Sequence, residues 1–401
     1  IAVAAAAALT ATSAFAEITF GAWLRVITGV GSNGEDVVMG TTNSWGGVRP
    51  ARLNAAGTSE DGKAGFKLDF YFENDEIWDH DKNIRIGDNG YLWVKPIDQI
   101  QLSIGRFDGG ETGFRGDFCY GSWNWLRPYN WIVEDEGLTF RGSHKDGLMA
   151  RITPIDNLVV LVQLPVMNAK WGGNNAGYVA KTETEDAKNT AADVFKNAAY
   201  MASYSIEGVG TLKAGFFGAD EEKTVEGKKY NQTGTVNVAF DLNAIENLYV
   251  TVGAFFDIAD KEMGEWHEKM KFTAGASYQV SDAMKFSVSG GYVKYMDKCA
   301  WLGNKDNAFQ IGAGVDYVIM DGLTLNADVR YKNVGYGKKG DDGSVSFLAG
   351  VVKSVGGNAS LQAGFQGSTN GCGLVQADTG IPAVENDDFV WAIPVGLSVW
   401  F

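Results

Sequence analysis

Apolar and polar residues alternate with a period of two along most of this chain. The clearest run is residues 389–401, where every odd position is apolar: Phe389, Trp391, Ile393, Val395, Leu397, Val399 and Phe401. The even positions between them are smaller and mixed, apart from Trp400. A period of two marks a β-strand with one continuous apolar face. The same alternation separates Leu323, Leu325, Ala327, Val329 and Tyr331 from Thr324, Asn326, Asp328, Arg330 and Lys332. It separates Phe66, Leu68, Phe70 and Phe72 from Lys67, Asp69, Tyr71 and Glu73, and Met284, Phe286 and Val288 from Lys285, Ser287 and Ser289. Near the start, Ile18, Phe20, Ala22, Leu24 and Val26 alternate with Thr19, Gly21, Trp23, Arg25 and Ile27. One such strand would suit a soluble sandwich. Charged residues recurring on one face of many long strands would not, because a sandwich leaves little wet volume for them. A barrel with lipid outside and water inside accommodates both faces.

Turn signals set the strand count. They are Ser59-Glu60-Asp61-Gly62, Pro96-Ile97-Asp98, Pro154-Ile155-Asp156-Asn157, Glu207-Gly208-Val209-Gly210, residues 243–247, Ser281-Asp282, Met320-Asp321-Gly322 and Val355-Gly356-Gly357. From Gly208 onward they recur about every 35 to 39 residues, room for two spanning strands of ~10 residues, a tight turn and a longer loop. Eight turns give sixteen strands. A first strand over residues 17–28 and a last over 387–401 make eighteen. Merging a marginal pair would leave sixteen. The expected fold is therefore an all-β, transmembrane antiparallel barrel of 16–18 strands, best counted as 18, with short periplasmic turns and longer external loops. A barrel of this size encloses a channel rather than a packed core. Residues 137–141 are assigned to a loop or to an extension of the next strand, since counting them alone would break the even parity.

Composition agrees. The chain has 401 residues, 52 glycines and only 7 prolines, with 12% aromatics. Its mean hydropathy is −0.12, as expected when half of each spanning strand faces water. A net charge of −15 argues against nucleic acid as a partner. Residues 1–9 form an Ala/Val/Ile/Leu run, and Ala14-Phe15-Ala16 fits a secretory cleavage pattern, so residues 1–16 are expected to be an export signal and residues 17–401 the barrel. The run is shorter than the ~20 residues a membrane-spanning helix needs. Three cysteines (Cys119, Cys299, Cys372) are too few for a disulfide framework. Cys299 and Cys372 fall on two expected external loops, where a disulfide would require them to meet.

A family resemblance now becomes specific. Residues 90–98, Gly-Tyr-Leu-Trp-Val-Lys-Pro-Ile-Asp, followed by residues 100–107, Ile-Gln-Leu-Ser-Ile-Gly-Arg-Phe, resemble a strand–turn–strand of bacterial porins. The ending on Phe401 resembles the terminal strand of bacterial outer-membrane barrels, whose last aromatic is read by the insertion machinery. With the strand spacing and the export signal, the resemblance to the porin superfamily covers essentially the whole of residues 17–401. It implies a passive channel in outer-membrane lipid, passing small hydrophilic solutes, often a homotrimer, and narrowed by an inward-folded third loop. No cofactor or metal is implied.

The third external loop by this count is residues 108–136. It carries Asp108, Glu111 and Asp117, with Trp123, Trp125, Tyr129 and Trp131. A wet loop has no reason to hold so many aromatics, so this one is expected to pack against the barrel interior. A compact external cap or a subunit contact stays open. Nine of the ten arginines lie at or before Arg151. Arg25, Arg52 and Arg151 fall on the polar register of their strands and are expected to line the pore opposite the acids of that loop. Such a transverse field favours small polar solutes. The alternative is that these arginines form ion pairs that stiffen the wall. Arg106 falls on the apolar register at a strand end and can snorkel. Trp23, Tyr91, Trp93, Trp123, Trp125 and Trp131 form a second candidate path, since sugar rings stack on aromatic faces. Asp75, Glu76, Asp79, His80 and Asp81 fit no known metal loop and read as a solvated tip. Residues 168–196 read as an external loop with a short helix over 186–195.

Catalysis is not expected. The three histidines, His80, His144 and His267, fall near predicted loops, and no nucleophile elbow, metal-binding His pair or phosphate-cradling glycine loop is present. Three readings remain: a general diffusion porin, which is favoured; a channel selective for sugars or small acids; and a surface adhesin anchored by a barrel.

Overall fold

The alternating strands close on themselves. The computed structural model describes residues 17–32, 36–42, 51–72, 85–107, 114, 140, 146–166, 190–225, 228–259, 268–299, 305–334, 343–369 and 389–401. The expected signal, residues 1–16, lies outside them. The first half of the wall is β1 (Glu17–Ser32), β2 (Val37–Thr42), β3 (Ala51–Thr58), β4 (Ala64–Phe72), β5 (Arg85–Ile97), β6 (Ile100–Arg106), β7 (Gly147–Ile155), β8 (Leu158–Leu164) and β9 (Ala199–Ile206). The second is β10 (Gly210–Val225), β11 (Lys228–Ile245), β12 (Leu248–Ala259), β13 (Glu268–Ser281), β14 (Met284–Cys299), β15 (Lys305–Met320), β16 (Leu323–Lys332), β17 (Ser344–Ser354), β18 (Ala359–Ser368) and β19 (Val390–Trp400). From β3 to β19 each strand pairs antiparallel with the next, and β19 pairs with β1 from Trp23↔Trp400 to Ser32↔Trp391. Beyond that ladder, Ala22 and Phe401 exchange backbone hydrogen bonds of 3.0 and 2.8 Å.

Nineteen strand segments make an eighteen-stranded barrel. The discrepancy lies at the second strand. β2 pairs with Ile27–Ser32, and β3 pairs with Glu17–Leu24, so the two share one place beside β1. The first strand also runs to Ser32, four residues past the expected end.

All eight expected turns are turns. Asn157 and Gly208 take left-handed backbone at φ 66° and 68°, for which these residue types pay least. The turn after β3 is tied to the turn after β5 by a Lys63–Asp98 ion pair. That hydrogen bond and charge hold the Asp98 carboxyl below the usual carboxylate range. The short helix α1 (Ala191–Lys196) ends one residue beyond its expected end. Cys299 is the last residue of β14 rather than a loop residue. It keeps its thiol, which donates to the Asp297 carbonyl at 3.6 Å, so the disulfide considered from the sequence does not form at this end.

Helix α1 carries a pH-dependent cap. Thr190 Oγ1 accepts from the Asp193 N–H at 3.3 Å, and Asp193 Oδ2 accepts from the Thr190 N–H at 2.8 Å. The Thr190 backbone and hydroxyl groups hold the Asp193 carboxyl below the usual carboxylate range. A depressed carboxylate contributes above its unfolded pKa and loses that contribution as pH falls through the folded one. Acidification below that point is therefore expected to fray α1. Thr190→Val should fray it at neutral pH, costing about 1 kcal/mol. Amide exchange at residues 193–197 checks both, and unchanged protection in Thr190→Val would refute the cap.

Burial is inverted relative to a soluble protein. Asp69, Asn89, Gln163, Asn237, Thr251, Lys271, Gln310, Asn326, Arg330 and Lys332 are buried, whereas Phe20, Leu24, Leu53, Leu92, Val252, Phe286, Val329 and Leu397 are exposed. The apolar register found in the sequence is thus the outer face. Aromatics collect in two rows on it. Phe272, Tyr292 and Phe309 are register neighbours at the external end, and Tyr278 and Phe286 are register neighbours near the periplasmic turns with Tyr317 close by. Eight residues separate Phe309 from Tyr317 on β15, about 27 Å along the strand, or roughly 20 Å of height at a tilt near 40°. Two aromatic girdles flanking an apolar band of that height mark the interfaces of a bilayer. No helix among the described residues is long and apolar enough to cross a membrane.

Candidate functional site: the lumenal wall

The polar register of each strand lines the inside of the barrel. Burying a charge costs several kcal/mol unless it is paired, and the wall meets this demand by one repeated device. On β3, β4 and β5, Arg52 Nη2 donates to Asp69 Oδ2 at 2.6 Å, and Asn89 Nδ2 donates to the same oxygen at 2.8 Å. On β10, β11 and β12, Lys213 Nζ lies 3.0 Å from Asp241 Oδ2, and Thr251 Oγ1 donates to Asp241 Oδ1 at 2.6 Å. On β14, β15 and β16, Lys285 Nζ lies 3.3 Å from Asp316 Oδ2, and Asn326 Nδ2 donates to Asp316 Oδ1 at 2.6 Å. Each set is a cation, an aspartate and a neutral donor on three consecutive strands. The aspartate is the middle member, so it draws a donor from each side.

The sequence placed Arg52 and Arg151 on the lumenal register, and both are there. Arg52 pairs with Asp69, so the ion-pair alternative holds for it. Arg151 stands in register between Gln101 and Leu161, on the row of lumenal residues. Four strand intervals separate β3 from β7, about 19 Å of wall, so these two arginines do not form a cluster. Arg25 is the register partner of Ser398, a buried lumenal serine; its side chain lies outside the description. Arg106, at the external end of β6, reaches Asp146 Oδ2 at 3.8 Å, as a snorkelling strand-end cation would.

The aromatics divide. Trp93 does not project into the channel. A Cβ on Gly65, its register partner, would lie 2.5 Å from the Trp93 ring, so the indole lies against the wall. Lys95 Nζ sits 5.2 Å from the ring centroid. Trp23 pairs in register with Arg52. Asp108, Glu111, Asp117, Trp123, Trp125 and Trp131 lie outside the described residues, as do the three histidines and the acidic tip around Asp79. Among the described residues no group of three or more His, Cys, Asp or Glu could hold a metal ion.

Between β6 and β7 the described residues are Phe107, Phe114, Phe140 and Asp146, and the three phenylalanines are buried. Phe114 and Phe140 lie in one apolar cluster with Phe107, Met149, Leu161, Ala199, Met201 and Ala239. Met149, Leu161, Met201 and Ala239 belong to the lumenal register of β7, β8, β9 and β11. The Phe114 and Phe140 rings are 6.3 Å apart, and Phe140 meets Phe217 of β10 edge-on at 5.9 Å. Gly215 leaves the space: a Cβ there would lie 3.0 Å from the Phe140 ring. Tyr91 stacks obliquely on Phe107, where the segment leaves β6. The segment after β6 therefore touches the inner wall at two points. The sequence reading missed this apolar patch, whose signal was Leu161, Met149 and Met201 on a register that is polar elsewhere.

An even-stranded barrel with an apolar outside and a polar inside has counterparts among known proteins. The Gram-negative porin family profile matches residues 2–337. This chain belongs to that family. Among solved structures, the anion-selective porin from Comamonas acidovorans is 12% identical over 96% of this chain and 99% of its own, with a TM-score of 0.50. The outer membrane channel DcaP of Acinetobacter baumannii is 10% identical over 96% and 97%, with a TM-score of 0.48. At 12% identity the likeness to the Comamonas porin is one of fold. A comparison with curated protein sequences finds no match. The porin is an integral outer-membrane protein and a passive diffusion channel.

Proposed function

We propose that the segment between β6 and β7 folds inward and forms the narrowest part of this diffusion channel. The observation that carries the reading is the burial of Phe114 and Phe140 against the lumenal face of β7–β11. Anchored at Phe107 and Phe140, the segment would hold Asp108, Glu111 and Asp117 within the lumen, facing a wall that carries Arg25, Arg52 and Arg151. The solutes are small, hydrophilic molecules and ions, and the channel does no chemistry on them. The cation–Asp–donor sets of the wall are structural, because each aspartate is already held by two partners. The protein is further proposed to assemble as a homotrimer, and Phe401, 79% exposed, to be read by the barrel-insertion machinery.

Single-channel recording of the refolded protein tests the reading. Large ohmic steps with weak ion selectivity and no block by sugars are expected. Small steps blocked by one sugar at low concentration would instead make it a selective channel. Replacing Arg25, Arg52 and Arg151 together by glutamine is expected to move the zero-current potential in a salt gradient toward cations. An unchanged potential would sink the role given to these arginines.

A further inference from the structure

We propose that the lumenal wall at the external end of β15, β16 and β17 carries a binding site for small oxyanions, the carboxylate or phosphate groups of passing solutes, centred on Lys332. The proposal goes beyond the channel function, and rests on it for access from the lumen.

Lys332 is the last residue of β16 and is 2% exposed. Among the described residues its ammonium has no hydrogen-bond or ion-pair partner. Its register partner on β15 is Gln310, which is buried too, and both polar atoms of that amide are without a hydrogen bond. Elsewhere this wall pairs its lysines: Lys213 with Asp241, Lys271 with Glu268 and Lys285 with Asp316. A buried cation beside an idle amide, in a chain of net charge −15, calls for an explanation. An arriving oxyanion supplies one. It would neutralise the ammonium and accept from the Gln310 amide, and such charge-assisted bonds are the strong ones.

The neighbours suit that ligand. Arg330, two residues along the same face, adds a guanidinium whose planar fork matches an oxyanion. Ser346, its register partner on β17, adds a buried hydroxyl. Among the described residues the acids nearby are few. Asp328 shares the face of β16, Asp316 on β15 is taken by Lys285 and Asn326, and Asp306 on β15 is held by Lys294 at 2.5 Å. On that face of β16, Arg330 and Lys332 stand against one acid, Asp328. Toward the exterior it is bordered by a buried hydrophobic cluster of Val293, Tyr295, Cys299, Ala308 and Val334. Such a border lowers the local dielectric, which strengthens a charge contact made there.

The test is saturable block in a planar bilayer. Inorganic phosphate and succinate are added separately to wild type, Lys332→Met and Gln310→Leu, each first recorded in potassium chloride. The chloride recording reads the channel itself, so loss of the pore and loss of the site are distinguishable. Wild type is expected to show saturable block by at least one oxyanion. Block by both would fix the shared chemistry, and block by one would name the source. Lys332→Met should weaken it by about tenfold or more, the loss of a charged hydrogen bond, and Lys332→Arg should restore it. Gln310→Leu, which leaves the charge untouched, should weaken it several-fold and carries the test if Lys332→Met fails to assemble. Equal block in wild type and these variants, or no saturable block by either oxyanion, would overturn the proposal.

Discussion

Phe140→Ala is expected to enlarge the channel. Phe140 is 0% exposed and joins the segment between β6 and β7 to the inner wall through Phe114 and Phe217. Truncating a buried phenylalanine costs about 3–5 kcal/mol. The barrel itself is held by backbone ladders that Phe140 does not join, so the loss falls on the docking of the segment. A 3 kcal/mol loss shifts a docking equilibrium by more than a hundredfold. Single-channel steps should grow, and become noisier as the segment leaves and returns. Gly215→Leu attacks the same contact from the wall, because any side chain there meets the Phe140 ring. It should enlarge the steps as well. If both variants fold and keep wild-type conductance, Phe140 does not pin a constriction.

Arg52→Gln is expected to destabilise the barrel more than Asp69→Asn does. Asp69 is 0% exposed and Arg52 is 23% exposed. Asp69 Oδ2 takes both the Arg52 and the Asn89 bonds, and Oδ1 has no hydrogen-bond partner among the described residues. Removing the guanidinium leaves a buried carboxylate without the counter-charge that Arg52 supplies, a change that costs about 3–5 kcal/mol. Removing the carboxylate's charge leaves an arginine that can still reach lumenal water. Urea unfolding in detergent should show this asymmetry. The Arg52→Gln/Asp69→Asn double variant should recover much of the single-variant loss, since the two side chains act as one unit. Strictly additive losses would mean that the pair contributes nothing as a pair. The selectivity changes should oppose each other, toward cations for Arg52→Gln and toward anions for Asp69→Asn.

Much of the fold was legible because its rules are local. The strand at Leu323–Lys332 announced both its faces by alternation, and the turn at Glu207-Gly208-Val209-Gly210 announced itself through glycines. The even parity of eighteen strands followed from counting turns. The division of the second strand into β2 and β3 was not legible. Val37–Thr42 is a weak alternation, and only its pairing with Ile27–Ser32 shows that it belongs to the wall. The disulfide considered between Cys299 and Cys372 rested on both being loop residues, and the long β14 removed one of them from a loop.

The candidate site was legible in part, for the same physical reason. Alternation says that Arg52, Arg151 and Lys332 face the lumen, since a side chain's face depends on residue parity alone. It does not say which acid meets which base. Arg52 and Asp69 are 17 residues apart in sequence, and Phe140 and Phe217 are far more distant. Their meeting depends on ladder register and on the stagger that closes the barrel, which are set by all eighteen strands together. The sequence by itself determined the class of wall: apolar outside, polar inside, closed at even parity, too wide to pack its own core. Tertiary structure alone decided which charges cancel, where an apolar patch receives the segment between β6 and β7, and which lysine has no counter-charge among the described residues. Periodicity is a property of neighbours along the chain, whereas neutralisation is a property of neighbours across it.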